Sequence, residues 1–172
     1  MINYKIDGIN EFTQKNIDVN GLLECAKKIF EYYLNDKDIY DSSCLAGYDY
    51  DTISCDFLFT TGAKTHEINK QYRNKDYPAD IITFAVFADS IEDERFILDL
   101  EINLGEVIIA IDKIEASAND KQTTFENELL FIISHGIMHL LGFDHQSDED
   151  FNFVVDKQIR ALESIGIKYV KV

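Results

Sequence analysis

His135-Gly136-Ile137-Met138-His139-Leu140-Leu141-Gly142-Phe143-Asp144-His145 holds three of the four histidines in this 172-residue chain. Residues four apart on a helix share one face, so His135 and His139 are spaced to converge on one metal ion. Their Cβ atoms would stand roughly 5–6 Å apart, a span that two Zn–N bonds of about 2.0–2.1 Å can bridge. Gly142 suits a left-handed helix end, where a Cβ would be strained, and lets the chain turn back to present His145. Three protein ligands leave a fourth position open, which is the pattern of catalytic zinc. The competing reading, three histidines each satisfied by its own hydrogen bonds, does not account for the spacing.

Upstream of the histidines, Thr123 with Glu126 reads as a capping box for a helix running to about Leu141. That helix is apolar nearly all round, which places it in the core. Downstream, Ser147 and Asp150 form a similar pair before a last helix from about Asp148 to Ser164, ended by Gly166. Toward the N-terminus, Ile2 to Ile6 alternates as a short strand. Val19 to Leu34 has helical spacing with Asp18 as its cap. Asp36 to Asp51 reads as a loop and Thr52 to Thr60 as a strand. Ala63 to Asn74 is an amphipathic helix with a basic face, followed by a turn at Lys75–Pro78. Ile81 to Phe87 is apolar throughout, the pattern of a strand covered on both faces. An acidic insertion from Asp89 to Asp99 precedes a strand at Glu106–Ile111 and a helix at Asp112–Asn119. Strands interleaved with helices predict an α/β (α+β) fold, a small mixed sheet of about four strands around the central histidine helix.

The length and the 46% hydrophobic content predict one domain over residues 1–172, with no repeat or linker. The first residues lack the apolar core of a signal peptide, and no apolar run could cross a membrane. Cys25, Cys44 and Cys55 are odd in number and lack C-x-x-C spacing, which predicts reduced thiols in a cytoplasmic protein. The formal net charge of −16 repels nucleic acid at long range. The charge is uneven, however. Residues 64–75 carry a net +3 from Lys64, Lys70, Arg73 and Lys75 against Glu67, whereas residues 89–101 set six acids against Arg95. An RNA site would lie near the first stretch.

Written as H-x-x-x-H-x-x-G-x-x-H, the motif has the ligand spacing of metzincin peptidases. The peptidase glutamate is replaced by Gly136, and no methionine follows the third histidine. The ligand geometry is shared, but the peptidase machinery is absent.

The sequence resembles the YbeY endoribonucleases, or rRNA maturation factors, whose motif H-G-x-x-H-L-x-G-(aromatic)-D-H is matched throughout by residues 135–145. Tyr72 to Asp80 followed by Ile81-Ile82-Thr83-Phe84 resembles the family block Y-R-x-K-D-x-P-T-D-V-L-S-F, and Leu104-Gly105-Glu106-Val107 resembles its L-G-D-I. Ala79, Thr83 and Glu106 stand where the family usually has threonine, serine and aspartate. The resemblance implies an α/β fold and a metal-dependent endoribonuclease preferring single strands, acting on small-subunit rRNA in ribosome maturation and quality control. Its implied partners are rRNA, the small ribosomal subunit and its assembly proteins. It implies one Zn²⁺ held by His135, His139 and His145. It also implies a functional role for Arg73, whose guanidinium could neutralise charge on a phosphodiester; the alternative is an arginine paired with Asp76 or Asp80.

Further roles stay open at the level of residues. Asp144 could orient a ligand histidine or merely belong to a polar loop. Lys64, Lys70 and Lys75 read either as RNA contacts or as a solvated helix face. Glu128 reads as a helix-surface carboxylate. With Gly136 in place of a glutamate, the attacking group is either a metal-activated water or the RNA 2′-hydroxyl. A non-catalytic, zinc-stabilised assembly factor and a metallopeptidase are the two other classes of function.

Overall fold

Polar side chains ahead of apolar-periodic segments set where most of the helices begin. The computed structural model describes residues 1–171. Asp18 accepts from the Gly21 N–H to open α1 (Val19–Asn35), and Ser147 accepts from the Asp150 N–H to open α6 (Asp148–Ser164). Thr61 does the same for α3 (Gly62–Tyr72) through the Lys64 N–H. The cap of the histidine helix, α5 (Phe125–Leu140), is Thr124 bonding the Asn127 N–H, one residue later than the expected Thr123. Asp36–Asp51 is not all loop. Asp36 accepts from the N–H groups of Asp38 and Ile39 and nucleates the short helix α2 (Lys37–Ser42).

The strands are β1 (Asn3–Asn10), β2 (Thr52–Thr60), β3 (Ile81–Phe84) and β4 (Glu101–Ala110), followed by α4 (Ile111–Asp120). Their order in the sheet is β1-β2-β4-β3, with β1, β2 and β4 parallel and β3 antiparallel at one edge. The class is α/β, with one mixed four-stranded sheet, as the interleaving predicts. Five strand boundaries differ from the expectation, two of them by a single residue. β1 runs on to Asn10 and β4 starts at Glu101, because parallel pairing to β2 supplies hydrogen-bond partners that alternation alone does not reveal. β3 ends at Phe84 instead of Phe87 and lies at the edge of the sheet.

Gly105 explains why β3 stops. The register between β2 and β4 shifts at this point, and Gly105 adopts a φ of +123°. A Cβ here would fall 1.9 Å from the Phe84 carbonyl oxygen, so only glycine lets the two backbones close. Beyond Phe84 the chain leaves the sheet, and residues 85–89 turn toward the C-terminal end of α5.

The sheet's two faces are unequal. The main core joins Phe57, Phe59, Val107 and Ile109 of the sheet to buried residues of α1, α5 and α6. A smaller cluster on the opposite face joins Ile82 and Ile108 to Ile68 of α3. Ile82 therefore packs as a buried strand residue, while Ile81 and Thr83 on the other side of β3 are only half-covered. That half-open side forms part of the cleft described next.

Candidate metal centre and nucleic-acid cleft

Helix α5 carries His135 and His139 toward the β3 edge because Gly136 lets it approach the sheet. A Cβ at position 136 would lie 2.7 Å from Val107 Cγ1 and 3.1 Å from Ile81 Cδ1. The glycine that distinguishes the motif from the peptidase pattern is thus a packing requirement, and a glutamate there has no room. The helix then ends as expected. The Phe143 N–H bonds the Met138 carbonyl, the Gly142 N–H bonds the His139 carbonyl, and Gly142 has a φ of +97°. This is a Schellman cap. It reverses the chain and sets His145 beside the helix.

The three histidines converge. Each offers a ring nitrogen, and these nitrogens all lie within 4.8 Å of one another. The Nε2 atoms of His135 and His139 are 2.8 Å apart. This spacing is on the scale of two bonds of about 2.0–2.1 Å to a shared ion. Behind His135 stands Gln158, which is fully buried. Its Nε2 donates to the Phe131 carbonyl at 3.0 Å and to Ser134 Oγ at 3.1 Å. That fixes the amide so that its Oε1, 3.3 Å from His135 Nδ1, accepts the ring proton. His135 Nε2 is then left with its lone pair aimed at its partners, the tautomer a ligand needs. Burial, reinforced by the neighbouring His139, lowers the His135 pKa to about 4. Burial and then His145 lower that of His139 as well. Both rings are held neutral, as donors to a cation must be. The cluster fits one metal ion.

The cleft in front of the histidines has a volume of 470 Å³ and is lined by Arg73, Tyr77, Thr83, Asp89 and Asp144 among others. Arg73 caps the C-terminal end of α3. Its Nη1 donates to Asn69 Oδ1 at 3.3 Å, and the Asn69 amide donates to the Tyr77 carbonyl at 2.8 Å. Asn69 therefore holds both ends of the turn that presents Arg73. One turn earlier, Thr65 Oγ1 donates to the Ala79 carbonyl at 2.7 Å. The 73–80 segment is thus secured through its backbone, and Ala79 needs no hydroxyl for this. Asp76 pairs with His66 and Lys70 and not with Arg73, so the ion pair considered from sequence does not form.

The structure decides between the readings left open for other side chains, and overturns one. Lys64, Lys70 and Lys75 do not line the cleft, and the first two pair with Glu67 and Asp76 on the outer side of α3. Asp144 does not bond a histidine ring. Its carboxylate accepts from the His145 N–H at 2.8 Å and the Gln146 amide at 3.3 Å, which holds it below the usual carboxylate range. Glu128 is not a surface group: it is fully buried and accepts from Lys121, Ser117 and Tyr169. A carboxylate seven residues before His135 is about 10 Å away along the helix, tied into the packing of α4 and the C-terminal segment.

The model of the family described as endoribonuclease YbeY matches residues 9–166. The chain belongs to the YbeY family. Endoribonuclease YbeY of Malacoplasma penetrans is 36% identical over 104 residues, 60% of this chain and 65% of that protein. Its Fusobacterium nucleatum counterpart is 35% identical over 109 residues, 63% of this chain and 65% of the other. That of Bacillus subtilis is 39% identical over 105 residues, 60% of this chain and 66% of the other. Each matched stretch thus spans just under two thirds of the relative. A Thermotoga maritima protein solved in solution shares the fold, with a TM-score of 0.55 at 22% identity, covering 95% of this chain and 91% of that one. The YbeY motif blocks at 72–84, 104–107 and 135–145 meet in space around a single feature. The first supplies Arg73 and the cleft edge, the second the Gly105 bulge and Val107, and the third the histidines.

Sequence reading did not find Gln158 or Asp89. Gln158 lies on a helix with ordinary amphipathic spacing, and only its burial marks it out. Asp89 is hidden in an acidic run and reaches the cleft because β3 ends early.

Proposed function

We propose that this chain is a metal-dependent endoribonuclease that prefers single strands and acts on small-subunit rRNA during ribosome maturation and quality control. In this reading residues 1–172 form one catalytic domain in the cytoplasm, with the small subunit and its assembly proteins as partners. The observation that carries it is the convergence of His135, His139 and His145 at the floor of a cleft whose wall includes Arg73. Membership of the YbeY family supports it. No helix among the described residues is long and apolar enough to cross a membrane.

The three imidazoles would hold one ion, Zn²⁺ by the chemistry of an all-nitrogen donor set. When bound, such an ion supplies Lewis acidity toward a phosphoryl oxygen or a water molecule. The protein's own groups do the rest. Gln158 holds His135 in the tautomer that leaves Nε2 bare. Arg73 offers a fixed fork of N–H donors for the non-bridging oxygens, where charge grows as the phosphodiester is attacked. Asp144, kept ionised by its hydrogen bonds, can accept hydrogen bonds but not donate them. No glutamate stands at position 136, which disfavours peptide hydrolysis; the nucleophile is either the RNA 2′-hydroxyl or a water, and the products tell them apart. Release of a 2′,3′-cyclic phosphate would assign the attack to the 2′-hydroxyl, and a 5′-phosphate product would assign it to water.

The test is cleavage of single-stranded RNA, with casein as the control substrate and metal content measured on the same samples. His139→Ala is expected to lose zinc and RNA cleavage together. Arg73→Glu should keep zinc and lose cleavage by at least about a hundredfold, the scale of removing a charge-stabilising donor. Cleavage that survives both substitutions would overturn the assignment. Folded variants that still associate with ribosomes, beside a wild type that cuts no RNA, would favour a non-catalytic assembly role.

A further inference from the structure

A second cavity lies directly behind the histidine cleft. It has a volume of 240 Å³ and is lined by α5, Phe151 to Gln158 of α6, Tyr169 and Lys171, with Asp80, Ile81 and Lys121 completing its rim. His135 and Ile81 line both spaces and so form part of the wall between them. The back cavity is aromatic where the cleft is polar. Phe131 and Tyr169 stack with ring centroids 4.1 Å apart and planes 2° from parallel. Phe151 stands at the mouth, 41% exposed, with its ring perpendicular to His145 at 5.8 Å. Lys171 Nζ sits 5.0 Å from the Phe151 ring centre.

We propose that this cavity receives one nucleobase of the RNA strand whose phosphodiester lies in the histidine cleft. The inference rests on the reading of that cleft as the RNA site. A base is flat and apolar on its faces and is tethered to an anionic backbone. The cavity offers aromatic and aliphatic walls, an ammonium group at its mouth, and a phosphate site one side chain away. Exposed aromatic rings beside cationic groups are the usual platform for single-stranded nucleic acid, because every base presents a π-face. A base can enter only after leaving its stack and its pair. A duplex resists that step, so the cavity would itself produce a preference for single strands. The stacked Phe131 and Tyr169 are fixed by the hydrogen bond from Tyr169 to buried Glu128, which leaves Phe151 as the ring able to cover an incoming base.

The test is the affinity of a fluorescent single-stranded RNA protected from cleavage by 2′-O-methyl groups, with an abasic nucleotide placed at each position in turn. One position is expected to lose about tenfold in affinity and its neighbours little. Phe151→Ala and Phe151→Leu should lose a similar factor, while Phe151→Tyr, which keeps the ring, should bind as wild type. In Phe151→Ala the penalty for the abasic position should vanish, as it must when both changes remove one contact. The ring is surface-exposed, so these variants are expected to fold, and circular dichroism checks this. Equal penalties at all positions, or unchanged binding by Phe151→Ala, would overturn the base site while leaving the nuclease reading intact. Wild-type binding no tighter than that of Arg73→Glu would instead overturn the RNA site itself, and the base site with it.

Discussion

His135 is pinned on both sides, by Gln158 at Nδ1 and by its partner histidines at Nε2, and its burial has a thermodynamic consequence. In the unfolded chain the ring takes a proton near pH 6.5; in the folded protein it does so only near pH 4. Between these values the unfolded state binds more protons, so stability rises with pH across the window and is lost on acidification. A shift from 6.5 to about 4 corresponds to roughly 3 kcal/mol. Chelator-treated protein is therefore expected to lose stability as pH falls from 6.5 toward 4, measured by urea denaturation at a series of pH values. His135→Gln should remove its share of that slope, since a neutral amide binds no proton, and His139, also depressed by burial, should keep the remainder. An unchanged slope in the variant would show that other groups carry the acid sensitivity. The same residue marks the limit of what the sequence reveals. Histidine spacing shows which rings can meet, but Gln158, 23 positions away, becomes their neighbour only through the packing of α6 on α5.

At the scale of elements, α5 is set by one atom that is missing. Gly136 allows the helix to lie against Val107 and Ile81, and Gly136→Ala would push a methyl group into the 2.7 Å gap to Val107 Cγ1. Val107 is β-branched and rigid about χ1, so it cannot swing aside cheaply. Overpacking of this kind costs about 1–3 kcal/mol, offset by up to about 1 kcal/mol of better helix propensity. A net loss of up to about 2 kcal/mol is expected in denaturant titration, together with weaker metal retention as His135 and His139 ride outward with the helix. A variant as stable as wild type would mean that the sheet relaxes there. The histidine helix itself was legible because its apolar girth and terminal glycine act locally, although its cap is Thr124 and not Thr123. The same holds for β2 and α6, whose observed bounds coincide with the sequence reading. β3 was legible as a strand but not as an edge. Its end depends on Gly105, which lies 21 residues further along and acts through the Phe84 carbonyl. Glu128 was misread for a related reason: its partners Lys121 and Tyr169 come from two different segments, and no pattern within α5 announces them.

The molecule as a whole is a poor polyanion binder with a local exception. Its net charge of −16 opposes RNA at long range, and the cleft wall offers Arg73 as its permanent cation. Lys75, close in sequence, and Lys171 at the back cavity bring the cations near the bound strand to about three. For single strands each neutralised phosphate contributes about −0.7 to the slope of log affinity against log salt, so three give about −2. Repulsion from the remaining acidic surface has the opposite dependence, because salt screens it, with a Debye length near 10 Å at 0.1 M. The two effects partly cancel. Binding of a single-stranded RNA between 50 and 300 mM salt is therefore expected to show a slope between 0 and about −2, far shallower than that of a basic RNA-binding domain. Arg73→Glu should flatten it further. A slope steeper than about −3 would mean that cations beyond Arg73, Lys75 and Lys171, such as Lys64 and Lys70 of α3, also meet the strand. On the proposed reading, such weak electrostatics would leave affinity to the metal centre and to stacking, as expected of a protein delivered to RNA by partners and not by long-range charge.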